Sequence, residues 1–239
     1  MIPAAARPVA MAGGERTEAR SPLAQLLHAL NQPLTGLQCS MEVALASPRT
    51  VEQYVQGLRE GLQLTERMRA LVEAMREVTD FEPEKETEET TELISLLRET
   101  VRDLEPVAQT KDVRLSLDSA SGSSSSSLLS SSLSVRVGRA RLAVLLFRLL
   151  DAALSLAERG TALRIDAGSE PNLVWISVRW QAAGPRCGFS RPELGLLVAQ
   201  AGFERSGAAW ERKRIEDGET VRIGLAAAAG GNFQSPAKS

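Results

Sequence analysis

The chain's only histidine, His28, lies in the stretch LLHALNQPLTGLQ, which has the pattern of a helix. An imidazole gains and loses its proton near neutral pH, so it can take part in chemistry under physiological conditions. Pro33 follows five residues later; it has no N–H to donate to the carbonyl of Ala29, and its ring crowds that carbonyl. We expect the helix to bend or loosen there. A solvent-facing imidazole beside an unsatisfied carbonyl indicates a candidate functional site.

A regular apolar pattern predicts the helix that carries His28. Ser21 and Pro22 are typical of an N-cap and of the first helical position. Apolar residues then recur at alternating steps of four and three, as in a heptad seam: Leu23, Leu27, Leu30, Leu34, Leu37, Met41 and Ala44. Because His28 directly follows a seam residue, we expect it on the flank of the seam and exposed.

A second apolar seam follows the break ASPRT. Thr50 and Gln53 have the spacing of a capping box, and the seam runs from Val51 to Met75. A short break between two long seams predicts an antiparallel helical hairpin. One hairpin cannot bury both of its faces alone, so we expect two copies to form a dimeric four-helix bundle. The alternative is a hairpin that folds back onto the rest of its own chain.

The sequence HALNQPLTGL resembles the H-box of sensor histidine kinases, in the group whose box reads His-Glu-Leu-Asn-Gln-Pro-Leu-Thr. All positions of that box match except Ala29. The resemblance implies that His28 is a phospho-acceptor on a dimeric bundle. It also implies that Asn31 and Gln32 are auxiliary polar groups, since the residue four after the histidine helps to position water in the family.

The departure at Ala29 bears on the kind of chemistry that the resemblance implies. The family has a carboxylate there, which takes the imidazole proton as the nitrogen attacks the γ-phosphate of ATP. Alanine cannot act as a general base. Exchange between phosphohistidine and an aspartate makes a smaller demand, because the receiver domain supplies the metal and the acid groups.

Composition divides the chain into segments. We expect a disordered lead over 1–20, the helical hairpin over 21–80, an acidic linker over 81–91, a second domain over 92–229 with a low-complexity Ser loop at 119–134, and a tail over 230–239. The second domain has the predicted order helix, strand, strand, three times in succession, which favours an α/β sandwich with a mixed sheet and helices on one face. The fold class is thus α+β, a helical hairpin followed by an α/β sandwich.

The second domain resembles the catalytic and ATP-binding domain of histidine kinases, but its ATP-binding boxes are degenerate. Arg148 and Ala152 stand in place of two asparagines, one of which holds Mg²⁺ through oxygen. Ala182 replaces the aspartate that reads adenine, and Glu193 would turn a carboxylate towards the phosphates and repel them. We therefore expect no bound ATP, no metal and no other cofactor on this chain.

The resemblance implies a histidine phosphotransfer protein of a two-component system, which relays a phosphoryl group between His28 and receiver-domain aspartates without ATP. Mg²⁺ would be held by the partner receiver domain alone. Such a chain is a phosphotransferase by relay and not an ATP-dependent kinase. A pseudo-histidine-kinase scaffold, which dimerises and binds a signalling partner, is the main alternative. A receiver phosphatase, a divergent kinase and an unrelated helical interaction protein are further alternatives.

Charge and hydropathy exclude several classes of protein. The formal net charge of −2 argues against a nucleic-acid-binding protein, which is usually basic. The most apolar stretch, LAVLLFRLLDAALSLA, carries two charged residues and is too short to span a bilayer. The first residues lack the pattern of a signal peptide. We expect a cytoplasmic protein with no membrane partner.

Overall fold

The computed structural model describes residues 21–80, 89–119, 133–182 and 190–228 of the chain. The predicted disordered lead and the predicted tail lie outside the described residues. So do most of the predicted acidic linker and nearly all of the Ser-rich loop.

Two long helices form the predicted hairpin. Helix α1 spans Pro22–Ala46 and helix α2 spans Val51–Asp80. The Ser21 hydroxyl accepts a hydrogen bond at 3.3 Å from a backbone N–H of the first turn of α1. Thr50 and Gln53 bond reciprocally at 3.0 and 3.3 Å, each backbone N–H donating to the other side chain. Both predicted helix starts are therefore confirmed.

The remaining described elements form an α/β domain. In chain order they are β1 Thr91–Glu92, α3 Leu93–Lys111, β2 Arg114–Ser119, β3 Ser134–Val135, α4 Arg139–Leu156, β4 Ala162–Glu170, β5 Leu173–Trp180, α5 Arg191–Arg205, β6 Ala209–Ile215 and β7 Gly218–Ala226. Apart from the two-residue β1, this is the order of helices and strands that the sequence predicts.

Five strands form one mixed sheet in the order β2-β4-β5-β7-β6. β2 runs parallel to β4, and the other neighbours are antiparallel. Ile165 lies opposite Val178, which in turn lies opposite Val221, so branched side chains form a row across the inner face. β1 and β3 form a separate two-stranded sheet. The predicted mixed sheet is confirmed.

The inner face of the sheet and helices α3, α4 and α5 share one apolar core. Helix α4 contributes nine buried residues, and five of its leucines are inaccessible to solvent: Leu142, Leu145, Leu146, Leu149 and Leu150. Burial of each such leucine stabilises the fold by roughly 2 kcal/mol. Within the described ranges, none of the helices has the length and hydropathy needed for a membrane span.

Candidate functional site

His28 lies on the exposed side of α1, as the sequence predicts. Asn31 and Gln32 are also exposed, and residues three and four apart share one face of a helix. Thr35 continues this face, and its hydroxyl donates a hydrogen bond at 2.9 Å to the carbonyl of Asn31. The structure thus brings the three predicted site residues together on one accessible polar surface. We call these four residues the histidine face.

A different side of α1 is buried. Its members, which we call the docked row, follow one another at steps of four, three and four: Pro22, Leu26, Ala29 and Pro33. The predicted seam residues Leu27 and Leu34 remain 51% and 52% exposed in the single chain. α1 runs from Pro22 to Ala46 as one helix, and the Pro33 ring lies buried within it.

An apolar cluster covers the docked row and joins the hairpin to the α/β domain. This interdomain cluster consists of Leu26 and Ala29 of α1, Leu71, Ala74 and Val78 of α2, and Leu194, Leu197, Val198 and Ala201 of α5. One side of the hairpin therefore folds back onto its own chain, and its residue Ala29 is offset from His28 by about 100° around α1. This is the alternative that the apolar pattern left open for the hairpin.

Two polar contacts flank the interdomain cluster. Arg148 of α4 forms an ion pair with Glu77 of α2. The Nη1 group of Arg205 on α5 donates a hydrogen bond to the carbonyl oxygen of Thr79 at 3.3 Å. Arg148, which stands at a former asparagine position of the family pattern, thus contacts the hairpin.

Ala152, the second altered position of that box, lies between two closely packed helices. It is 3% exposed. A Cβ built on Gly195 of α5 would lie 3.2 Å from the Cβ of Ala152, so α4 and α5 touch through small residues. Ala152, Gly195 and Arg148 all line a cavity of about 310 Å³ between α2, α4 and α5.

Glu193 makes a contact with the sheet that the sequence did not predict. Its carboxylate accepts hydrogen bonds from Arg212 of β6 at 2.8 and 3.2 Å, and Arg212 Nε donates to Glu219 at 2.8 Å. Burial of Arg212 lowers the pKa of its guanidinium, but the hydrogen bonds and charges of the two glutamates more than offset this and raise the pKa above its ordinary value. The charge of Glu193 is therefore balanced by Arg212, and this ion pair links the start of α5 to β6.

Sequence reasoning missed the role of Arg212, which lies in the charged stretch ERKRIED. The alternation of side chains along a strand could have revealed that Arg212 lies on the inner side of β6. Arg212 lies two residues after Trp210, so both point to the same side of β6. Trp210 packs against the core, and Arg212 pairs in register with the buried Val221.

Ala182, at the position of the family's adenine-reading aspartate, forms a single β-bridge with Ala157 and packs against the core. Among the residues that the structure describes, no three His, Cys, Asp or Glu side chains are grouped as a metal site would require. The four positions that the resemblance assigns to ATP-binding boxes thus make helix, strand or ion-pair contacts within the chain.

A second apolar surface of the hairpin is exposed. We call it the free seam: Leu27, Leu34, Met41, Leu58 and Leu62, which are between 51% and 70% exposed. A groove of about 300 Å³ lies between α1 and α2 at the end nearer the turn, and Met41, Leu58 and Leu62 help to line it. A contiguous exposed apolar surface of this kind marks an interaction site.

No protein-family model and no curated protein matches the chain. Solved structures match it by fold. Acinetobacter baumannii histidine kinase AdeS is similar over 83% of this chain and 97% of its own, with a TM-score of 0.51 and 17% identity. Full-length ShkA, in a crystal structure in complex with AMPPNP, is similar over 87% of this chain and 46% of its own, with a TM-score of 0.50 and 17% identity. The helical hairpin followed by the α/β domain therefore has the fold of histidine kinases.

Proposed function

We propose that this chain is a histidine phosphotransfer protein of a two-component system, which relays a phosphoryl group between His28 and receiver-domain aspartates without ATP. The main observation behind the proposal is that neighbouring residues of the H-box-like segment lie on different sides of α1, one exposed and the other buried. His28 is exposed, whereas Ala29 is buried beneath α5. An exposed histidine can react with a group that a partner brings, while a buried methyl group at the next position contributes no acid or base.

The transfer needs a neutral imidazole nitrogen that lies in line with the phosphorus of an aspartyl phosphate. The nitrogen lone pair forms the new P–N bond while the P–O bond to the aspartate breaks, and the electron pair of that bond restores the carboxylate. The proton on the other ring nitrogen passes to solvent. Reversal of these steps delivers the phosphoryl group to a second receiver. Asn31 and Gln32 offer amide donors to the phosphoryl oxygens on the same face.

Contacts inside the α/β domain support a reaction without ATP. Ala152 lines the cavity between α2, α4 and α5, but its methyl group offers no oxygen to Mg²⁺. Arg148 is engaged with Glu77, and the carboxylate of Glu193 with Arg212. Divalent metal for the transfer would therefore come with the receiver domain.

The free seam supports a homodimer. Its residues on α1 lie about 100° around the helix from the docked row, because successive residues of a helix are offset by that angle. A second hairpin can therefore cover the free seam while α5 still covers the docked row. Two hairpins joined in this way would form the four-helix bundle expected from the heptad pattern.

A pseudokinase scaffold is the second candidate. The exposed free seam favours it, because an apolar surface can hold a partner without any chemistry. In that case His28 would be an unreactive remnant of the box. Phosphorylation of His28 separates the two candidates.

The test exposes the full chain to labelled Mg-ATP and, in parallel, to a panel of labelled phospho-receiver domains. We expect acid-labile label from at least one receiver, none from ATP and none in His28→Ala. Label from ATP alone, lost in His28→Ala, would contradict the ATP-independent relay. Absence of label from every receiver would overturn the relay and leave the scaffold. Circular dichroism of His28→Ala should match that of the parent chain, so that loss of label reports chemistry and not unfolding.

A further inference from the structure

α5 carries apolar residues on two sides. One set packs in the core beneath the sheet: Leu196, Ala199 and Phe203. The other set packs against the hairpin: Leu194, Leu197, Val198 and Ala201. A helix that is apolar all round is stable only where both sides are buried. If the α/β domain left the hairpin, the second set would be exposed to water.

Small residues shape the hairpin side of this contact. Ala29 is 1% exposed and Ala74 is 5% exposed, and both face α5, where Ala201 is also small. A longer side chain at such a position forces neighbours out of place. A carboxylate at Ala29, as the family pattern has it, would lie unpaired among leucine, valine and alanine side chains, at a high desolvation cost.

The polar contacts at the rim are weaker than the apolar cluster. The side chains of Arg148 and Glu77 are 37% and 44% exposed, and ion pairs with such access to water contribute little to stability. The hydrogen bond from Arg205 to the carbonyl of Thr79 is long, at 3.3 Å. Seating of the α/β domain on the hairpin therefore depends mainly on the buried cluster around Ala29.

We infer that Ala29 is a positioning residue. It lets α5 pack against α1 on a different side from His28 and so holds the α/β domain on the hairpin. In this position the α/β domain restricts a receiver's approach to the histidine face. His28 and Ala29 are adjacent in sequence and therefore lie on different sides of α1. His28 is exposed to solvent, whereas Ala29 is buried in the interdomain cluster. The restriction of approach rests on the proposed function. The seating of α5 does not, and it can be measured without any phosphoryl transfer.

Cross-linking across the rim contact measures the seating. Glu77→Cys and Arg148→Cys are introduced into a full chain in which Cys39 and Cys187 are replaced by serine. A short thiol cross-linker should join them within one chain, because the native side chains touch. Ala29→Glu should slow this cross-link at least about tenfold, because it buries an unpaired carboxylate. Ala24→Glu adds the same charge at an exposed position of the same helix and should leave the rate unchanged.

A second variant guards against an effect peculiar to α1. Ala74→Glu places the carboxylate on α2 under the same α5 residues and should slow the cross-link in the same way. Retained circular dichroism and a retained thermal transition of the α/β domain distinguish unseating from unfolding. Wild-type cross-linking rates in both glutamate variants would overturn the inference.

Transfer assays test the effect on approach. Phosphoramidate, a small donor, should label His28 equally in Ala29→Glu and Ala24→Glu, because the histidine face is unchanged. The ratio of transfer rates between the best and the poorest receiver of the panel should fall about tenfold in Ala29→Glu alone. An unchanged ratio would overturn the restriction of approach. If no receiver labels the parent chain, the proposed function fails, and the cross-linking result still decides the seating.

Discussion

The histidine face and the docked row lie on the same helix, roughly 140° apart around its axis, yet their surroundings differ in kind. The first is polar and open, with a hydrogen bond from Thr35 to the carbonyl of Asn31 among its few contacts. The second is covered by α5 and α2. Adjacent residues of an H-box-like segment thus serve different ends: His28 is available to a partner, and Ala29 is a packing position.

The docked row and the free seam make a second contrast within the hairpin. Both are apolar, but only the docked row is covered by the same chain. Leu26 is fully buried, whereas its neighbour Leu27 is 51% exposed. The comparison shows that the hairpin has two apolar sides: the α/β domain covers one, and the other is the exposed side that we propose a second copy covers.

The largest effect is expected at the free seam. Leu62→Glu should raise the dissociation constant of the proposed homodimer by more than about 100-fold, because it would bury a carboxylate from each copy without a partner. Sedimentation equilibrium measures this constant. Gln63→Glu, at an exposed polar position one residue later, should leave it unchanged. Equal dissociation constants for both variants would place the dimer contact elsewhere.

The next largest effect is the difference between Leu26 and Leu27 in the free energy of unfolding. It is measured in the Leu62→Glu background, which is expected to be monomeric. Leu26→Ala should lower the free energy of unfolding by about 3 kcal/mol, because it leaves a cavity in the interdomain cluster. Leu27→Ala should lower it by under about 0.5 kcal/mol, since surface truncations cost little. Urea denaturation followed by circular dichroism gives both values. Similar losses for the two variants would contradict the difference between the two sides.

A smaller loss is expected where α4 meets α5. Ala152→Asn should lower the free energy of unfolding by about 2 kcal/mol, because the larger side chain meets α5 at Gly195. It should also fail to restore Mg-ATP binding in titration calorimetry, although it restores the family's metal ligand. Asp151→Asn, on the partly exposed side of α4, should change neither quantity appreciably. Binding of Mg-ATP by Ala152→Asn would show that the cavity between α2, α4 and α5 admits the nucleotide once residue 152 offers an oxygen.

The smallest effect is expected at the ion pair between Glu193, in the first turn of α5, and Arg212 of β6. Glu193→Gln should cost about 1 kcal/mol by weakening the contact with Arg212. Glu211→Gln removes an exposed pair with Lys213 and should cost under about 0.5 kcal/mol. Since the pKa of Arg212 is raised in the folded state, its contribution is present at all pH values below its unfolded pKa and is lost only under strongly alkaline conditions. Thermal denaturation across the neutral range should therefore give a constant difference between Glu193→Gln and the parent chain.

The features that could be predicted from the sequence depend on interactions between residues that are close together along the chain. The helix starts at Ser21 and Thr50 follow from hydrogen bonds within three residues along the chain. The order of helices and strands follows from apolar periodicity and turn residues. The exposure of His28 follows from its place beside the seam. Trp175 and Trp180 lie on opposite sides of β5 because side chains alternate along a strand, and Trp180 is the buried one.

Long-range contacts explain the rest. A heptad seam shows that α1 has an apolar side, but several neighbouring rows of α1 are apolar. The choice of Leu26 and Ala29 as the row covered by the same chain depends on α5, whose Leu197 and Val198 lie far away in the sequence. The same holds for Glu193 with Arg212 and for Ala152 with Gly195.

The sequence by itself determined the hairpin, the succession of helices and strands, and the accessible histidine, because each depends on residues within a few turns of one another. Only the tertiary structure decided that Ala29 packs in one cluster with α5, that Arg148 contacts Glu77, and that Ala152 lies close to Gly195. These contacts join segments that meet only after the chain has folded, and their stability comes from water excluded between surfaces that neither segment contains alone.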